Sequence, residues 1–113
     1  MLYFNSKIRR KELQREIDRI IPILVKKYKP EKVVVFGSMG SGKVGRWSDI
    51  DLAIIKRTKK TLPERWDEVA GLIHPERALD YIVYTPEEFL RLKKSNHYFI
   101  QEILKGRVLY EKK

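Results

Sequence analysis

Three short runs of apolar and β-branched residues constrain what this chain can fold into. They are Lys32–Phe36, residues 49–55 and Leu79–Tyr84, and each has the length and composition of a buried strand. The segments around them place apolar residues at helical spacing or carry helix-capping signals. The pattern predicts an α+β fold, with a small mixed sheet of three to four strands and helices packed mainly on one face.

Prolines and capping residues mark the first two helices. The first is predicted to begin at Ser6, to kink or break at Pro22 and to stop before Pro30. The second is predicted to start at Pro63, which suits the first turn of a helix, and to run to about Ile73.

Two more helices and a last strand are predicted in the C-terminal third. Residues 85–88, Thr-Pro-Glu-Glu, form a capping box that opens a helix to about Lys94. Asn96 is predicted to cap a final helix that Gly106 ends. Residues 108–110 are predicted to form a short fourth strand.

Composition narrows the class of protein. Of the 113 residues 42% are apolar, which suits one core and predicts a single domain over residues 1–113. No apolar stretch approaches the roughly 18 residues of a membrane span, so we expect a soluble cytoplasmic protein without membrane contact. Since the chain has no cysteine and two histidines, any metal is expected on carboxylates, which favours Mg²⁺ or Mn²⁺.

The chain is strongly basic, with 25 Lys and Arg against 15 Asp and Glu, a net charge of +10. Such a charge can attract nucleic acid, nucleotides or an acidic partner. Because the basic residues are scattered rather than gathered in a tail, a solvated charged surface is an equally good interpretation.

The candidate catalytic residues follow a glycine-rich segment. Residues 37–48 hold four glycines and three serines and are predicted to be a loop. Asp49 and Asp51 come next, at the start of the second strand, and alternation puts both on one side of it. Two close carboxylates repel each other unless a cation lies between them, which predicts a Mg²⁺ site. The alternative is a pair of solvent-facing residues at a strand end.

Two further features extend this candidate site. Asp80 is an aspartate inside the third apolar strand, and it completes a cluster of three carboxylates if that strand pairs with the second. Otherwise it faces water at a sheet edge. Gly37 and Ser38 can bring free backbone N–H groups and a hydroxyl to phosphate oxygens. Phosphates beside a carboxylate-bound metal would make a nucleoside triphosphate site.

A rival motif overlaps the same segment. Residues 37–43 match G-x-x-x-x-G-K after an apolar strand, which is the start of a P-loop. Position 44 is Val44, however, where a P-loop has the hydroxyl that holds Mg²⁺. A P-loop also opens directly into a helix, whereas residues 44–48 show no helical pattern. The P-loop interpretation is therefore disfavoured.

The glycine-rich segment and its aspartates resemble a known signature. Gly37-Ser38, ten residues, Asp49-x-Asp51 and a third aspartate on a later strand are typical of the nucleotidyltransferase superfamily related to DNA polymerase β. The length and order of elements resemble its smallest members, the minimal nucleotidyltransferases. The resemblance covers nearly the whole chain and implies the nucleotidyltransferase fold.

The resemblance also implies roles for individual residues. Asp49 and Asp51 would bind two Mg²⁺ ions, and Asp80 would help to bind one of them and to deprotonate the attacking hydroxyl. Gly37 and Ser38 would hold the β- and γ-phosphates of ATP. The acceptor hydroxyl would attack the α-phosphate in line and release pyrophosphate.

One departure from the family pattern affects phosphate binding. Members often carry basic residues just after Gly-Ser, whereas this chain has Met39 and Ser41. Lys43 or Arg46 could supply the charge instead, or could be solvent-exposed. Trp47 is predicted to cover the loop as an apolar plug, with stacking on a base or a partner as the alternative.

The resemblance further suggests a partner. Many minimal members are encoded beside a HEPN-domain toxin, and some transfer AMP from ATP to a tyrosine of that toxin. This implies a protein adenylyltransferase that acts as an antitoxin. Because the chain is too small to enclose a base by itself, a partner chain or a homodimer is expected to complete the site. A binding-only antitoxin and nucleotidyl transfer to RNA are the alternatives.

Overall fold

The computed structural model describes residues 4–113, which form five α-helices and four strands. In chain order they are α1 (Ser6–Ile23), β1 (Lys32–Phe36), α2 (Gly37–Ser41), β2 (Ile50–Ile55), α3 (Leu62–Ile73), β3 (Leu79–Tyr84), α4 (Pro86–Lys94), α5 (Tyr98–Leu104) and β4 (Arg107–Glu111). A π-helical turn, Leu24–Tyr28, continues α1. None of the helices in this part of the chain combines the length and apolar character needed to cross a membrane.

The four strands form one mixed sheet in the order β3-β2-β1-β4. β1 is antiparallel to both of its neighbours, and β2 is parallel to β3. The parallel pair needs a crossover connection, which α3 supplies. The predicted α+β fold with a small mixed sheet is confirmed, and β1 and β3 have the predicted bounds.

The larger core lies between α1, α3 and one face of the sheet. Its fully buried side chains are Leu13, Ile17, Ile20, Leu24, Val33, Val35, Ile50, Leu52, Ile54, Val69 and Ile73. On the opposite face Ile100 and Ile103 of α5 pack against Val34, Phe36 and Ala53. The two longer helices thus share one face, and the shorter α4 and α5 cover part of the other.

The first helix continues through Pro22 instead of breaking there. Its α-helical hydrogen bonding ends at Ile23, and the π-helical turn then runs to Tyr28 and is capped by Lys29, whose φ of 56° is left-handed. The buried stripe of Ile17, Ile20 and Leu24 holds both segments on the sheet. Packing therefore outweighs the loss of one backbone donor at the proline.

The helix caps agree with the predictions at some ends and differ at others. Thr85 and Glu88 form the predicted capping box of α4. Asn5 rather than Ser6 caps α1, since its Oδ1 accepts from the backbone N–H groups of residues 7 and 8. His97 rather than Asn96 caps α5, because Asn96 has a positive φ of 57° and lies in the preceding turn.

A buried carboxylate joins α1 to the segment that leads into β3. Glu16 is 4% exposed, and its Oε2 accepts from the backbone N–H groups of Glu76 at 2.6 Å and Arg77 at 3.2 Å. Its Oε1 accepts from Arg19 Nε at 2.8 Å. The hydrogen bond from Arg19, and then those from the two backbone N–H groups, lower the pKa of Glu16. Glu16 therefore holds the chain just before the strand that carries Asp80.

Candidate active site

The candidate site forms where β1 ends and β2 begins. The antiparallel register places Phe36, the last residue of β1, opposite Asp51. The chain then turns at once into α2, which begins at Gly37. Residues 37–41 are thus a short helix, and the prediction of a loop over 37–48 is wrong for this part. The buried side chain of Met39 holds this helix on the core.

Gly37 has no room for any side chain. Its φ is +66°, in the left-handed region that favours glycine. A Cβ added there would lie 2.5 Å from Asp51 Oδ2. The first residue of α2 therefore packs its backbone directly on the Asp51 carboxylate, which brings the Gly-Ser pair and this aspartate together as predicted.

Asp51 and Asp80 are direct neighbours across β2 and β3. The two strands are parallel with Asp51 in register with Asp80, so the two side chains share one face of the sheet. Asp49 lies one residue before β2, whose ladder extends back to the hydrogen bond from Ile50 N–H to Ala78 O at 3.0 Å. The predicted strand over residues 49–55 therefore begins one residue later than expected.

The charges of Asp80 and Asp49 act on the Asp51 carboxylate. Burial, then the charge of Asp80, then that of Asp49 raise the pKa of Asp51 to about 6. Ionised Asp51 is thus destabilised by burial and by like charge. A cation beside these carboxylates would oppose both effects, because it neutralises the repulsion and replaces lost hydration.

The carboxylate set fits a hard divalent cation in its chemistry. Carboxylate oxygens are the ligands that Mg²⁺ prefers. As the side chains stand, no three His, Asp or Glu residues among residues 4–113 converge closely enough to hold a metal ion. A site in which all three aspartates hold the ion therefore requires their side chains to turn toward one another.

An open cavity of about 250 Å³ lies beside Asp51 and Asp80. Its remaining walls are apolar and aromatic, formed by Phe36, Leu52, Tyr81, Ile82 and Phe99. The Phe36 and Phe99 rings meet edge to face with centroids 5.4 Å apart. A flat ligand group can thus lie against an apolar wall while its charged part meets the carboxylates.

Lys43 and Arg46 lie away from this cavity. Lys43 lines a separate groove with Ser6, Lys7 and Arg10 at the start of α1. The Arg46 guanidinium lies 5.7 Å from the centre of the Phe4 ring. The structure therefore makes Gly37, Asp51 and Asp80 direct neighbours. Ser38 and Asp49 lie one and two residues from this group along the chain, and the two predicted phosphate-binding cations lie elsewhere.

The position of α2 and the exposure of Trp47 test two expectations about the glycine-rich segment. The helix α2 ends at Ser41, before Gly42 and Lys43, whereas a P-loop needs a helix that follows them. The P-loop interpretation is thus excluded. Trp47 is 86% exposed, so it does not plug the loop as predicted.

A basic residue near the Gly-Ser pair was missed by sequence reasoning. Lys105 lines a cleft of about 180 Å³ with Gly37, Ser41 and Glu102. It reaches this place because Gly106 lets the α5–β4 turn pack closely on the backbone of β1. No local sequence signal could have found Lys105, since its position depends on the pairing of β1 with β4.

Comparison with known proteins identifies the class as nucleotidyltransferase. Residues 4–113 match the family model described as Polymerase beta, Nucleotidyltransferase. The chain belongs to this family. The chain also resembles a Sulfolobus solfataricus protein that is described as a candidate nucleotidyltransferase and whose crystal structure was solved at 1.40 Å resolution. The two structures superpose with a TM-score of 0.63 and their sequences are 24% identical. The match covers 80% of this chain and 84% of that chain. The two share a fold. A search of curated protein sequences gives no significant match.

Gly37→Ala is expected to disturb the Asp51 carboxylate. The new Cβ would overlap Asp51 Oδ2, and a left-handed residue other than glycine costs roughly 1–2 kcal/mol. We expect a loss of about that size in the free energy of unfolding, measured by urea denaturation. Gly71→Ala is the matched control, because it lies in α3 with open space around its Cβ. It should stabilise the chain by roughly 0.5–1 kcal/mol, and equal effects of the two changes would contradict the packing described.

Proposed function

We propose that this nucleotidyltransferase transfers AMP from ATP to a tyrosine hydroxyl of a HEPN-type toxin and thereby acts as its antitoxin. The observation that carries the transfer reaction is the pairing of Asp51 with Asp80 across parallel strands, with the Gly37 backbone packed on Asp51. The choice of AMP, tyrosine and a HEPN partner is supported by the resemblance to minimal nucleotidyltransferases.

The three aspartates would hold two Mg²⁺ ions, with Asp49 and Asp51 contributing to both and Asp80 to one. When bound, these ions would neutralise charge on the attacking and leaving oxygens of the phosphoryl group. Asp80 is exposed at the edge of the cavity. From there it can accept the proton of an incoming hydroxyl.

The Gly-Ser pair would bind the β- and γ-phosphates. Gly37 and Ser38 begin α2, where backbone N–H groups lack partners within the helix. Lys105 lines the adjoining cleft. We propose that it supplies the positive charge that binds these phosphates, in place of Lys43 and Arg46. It now pairs with Glu102 at 3.4 Å, an exposed pair that is weak enough to be exchanged for phosphate.

The acceptor is proposed to be a separate macromolecule because the cavity is open. In the reaction a tyrosine oxygen would bond to the α-phosphorus, the bond to pyrophosphate would break, and the phenolic proton would pass to Asp80. The described residues leave the mouth of the cavity uncovered beside Phe99, which is 38% exposed. A partner surface carrying the tyrosine, or a second copy of the chain, would close it.

Intact mass spectrometry of the partner tests this function. A purified HEPN toxin incubated with this chain, ATP and Mg²⁺ should gain the mass of one or more AMP groups. Asp49→Asn should abolish the gain. Asp18→Asn is the matched control, since Asp18 is an exposed residue of α1 whose side chain accepts a hydrogen bond from Gln14. It should leave the gain unchanged, and modification by the Asp49→Asn variant would contradict the proposal.

A binding-only antitoxin is the second candidate function. It is favoured by the placement of Lys43 and Arg46 away from the carboxylates. In that case Asp49→Asn would still neutralise the toxin fully. Loss of neutralisation by this variant, with complex formation intact, would exclude it.

A further inference from the structure

The loop that joins α2 to β2 lies against the first turns of α1. Arg9 Nη2 donates to Ser48 O at 2.9 Å, and the Arg10 guanidinium donates to Gly42 O. These bonds hold both ends of the loop on the helix. The exposed side chains of residues 4–11 and 42–48 therefore belong to one continuous surface.

This surface is basic throughout. Residues 4–11 and 42–48 contain six Lys and Arg and no Asp or Glu. The first carboxylate along α1, Glu12, already pairs with Arg9 at 3.9 Å. Within residues 4–113 neither Lys7 nor Lys43 forms an ion pair. Both line a groove of about 260 Å³, and their charges are available to an outside anion.

An aromatic side chain projects beside these cations. Trp47 is 86% exposed and stands next to Arg46 in the loop. A tryptophan exposed to this extent contributes little to the packing of the fold. Cations along a groove with an exposed indole are the combination that binds phosphates and stacks a base in single-stranded nucleic acid.

We propose that the α1–loop surface, defined by Lys7, Arg10, Lys43, Arg46 and Trp47, binds single-stranded nucleic acid. The cations contact successive phosphates, and Trp47 stacks on a base. The net charge of +10 adds a long-range attraction to such a strand. Nucleic acid fits better than an acidic peptide, because a base supplies the flat partner that the indole lacks. The inference does not rest on the proposed transfer reaction.

The first test measures binding of a 12-nucleotide oligoadenylate to the full chain. Trp66→Phe keeps the stack on Tyr81, whose ring lies 5.2 Å away, and leaves Trp47 as the sole tryptophan. Quenching of its fluorescence on titration then reports contact at the proposed place. We expect quenching, and we expect the affinity to fall steeply with salt. For each phosphate contact, the logarithm of the binding constant should fall by about 0.7 when the salt concentration rises tenfold.

Matched variants distinguish binding at the α1–loop surface from attraction by the net charge of the whole chain. Lys7→Ala with Lys43→Ala should flatten the logarithmic salt slope by about 1.4. Lys26→Ala with Lys27→Ala removes the same charge from exposed positions about 28 Å further along the helix and should change affinity much less. Trp47→Ala should weaken binding roughly fivefold to 150-fold. Circular dichroism and thermal melts verify that each variant is folded.

Four outcomes would overturn the proposal. One is the absence of binding in 50 mM salt, and another is an equal loss in the two double-lysine variants. The third is polyphosphate of equal charge binding as tightly as oligoadenylate, with Trp47→Ala having no effect. The last is polyglutamate competing as well as oligoadenylate, which would assign the surface to an acidic protein.

Discussion

Asp51→Asn is expected to abolish nucleotidyl transfer and to stabilise the folded chain at neutral pH. The rate should fall by at least about 10³-fold, because the variant removes a charge from the place where phosphoryl charge is balanced. Stability should rise because burial and two neighbouring carboxylates oppose the ionised form of Asp51. An asparagine has the same shape and carries no charge.

The sign of the stability change follows from the pKa of Asp51. It is about 6 in the folded chain against an ordinary 3.8. Stability from this group is therefore complete below about pH 3.8 and is lost as the pH rises through about 6. At pH 7.5 Asp51→Asn should be more stable by roughly 1–2 kcal/mol, after allowance for solvent at a partly exposed carboxylate. Near pH 3.8 the difference should nearly vanish.

Urea denaturation with a chelator present measures this effect without a bound cation. Asp18→Asn is the control, since it makes the same chemical change at an exposed position of α1. It should shift neither the rate nor the pH profile. An Asp51→Asn variant that retains transfer within tenfold of the unaltered chain would contradict the assignment of the site.

Glu16→Ala is expected to cause a large loss of stability for a single change outside the apolar core. It removes the acceptor of two backbone N–H groups and leaves Arg19 without its closest carboxylate, 2.8 Å away. We expect the free energy of unfolding to fall by roughly 2–4 kcal/mol. Because these bonds hold the chain before β3, nucleotidyl transfer through Asp80 should weaken as well.

Glu12→Ala is the matched control for Glu16. Glu12 lies four residues earlier on α1 and forms one long ion pair with Arg9 at 3.9 Å, so its loss should change stability by about 0.5 kcal/mol or less. The lowered pKa of Glu16 makes its effect on the free energy of unfolding depend on pH. The stabilisation by Glu16 should be present above the ordinary pKa of Glu and should be lost on acidification through the lowered pKa. Equal effects of the two substitutions in thermal melts would contradict the role given to Glu16.

The sequence predicted those parts of the fold that depend on local signals. The apolar runs of β1 and β3 and the Thr85–Glu88 capping box were found with their bounds. The proximity of Asp51 and Asp80 was predicted on condition that their strands pair, and the parallel register meets that condition.

Features that depend on contacts between distant segments were not predictable from the sequence. The α2 helix forms because Gly37 packs on Asp51 and Met39 is buried, although glycines and serines favour a loop. Lys43 was expected beside the phosphates but lies in a groove with Lys7 of α1. Lys105 is near Gly37 only because β4 pairs with β1.

The aspartate cluster and the Gly-Ser pair are proposed to transfer a nucleotide. Incubation with an acceptor extract, Mg²⁺ and ATP labelled with ³²P in either the α- or the γ-phosphate tests this transfer. We expect incorporation from α-labelled ATP, none from γ-labelled ATP, and none with Asp51→Asn. Digestion with nuclease or protease then identifies the acceptor as RNA or protein. Incorporation from the γ-label alone, or undiminished incorporation by the variant, would show that these residues do not transfer a nucleotide.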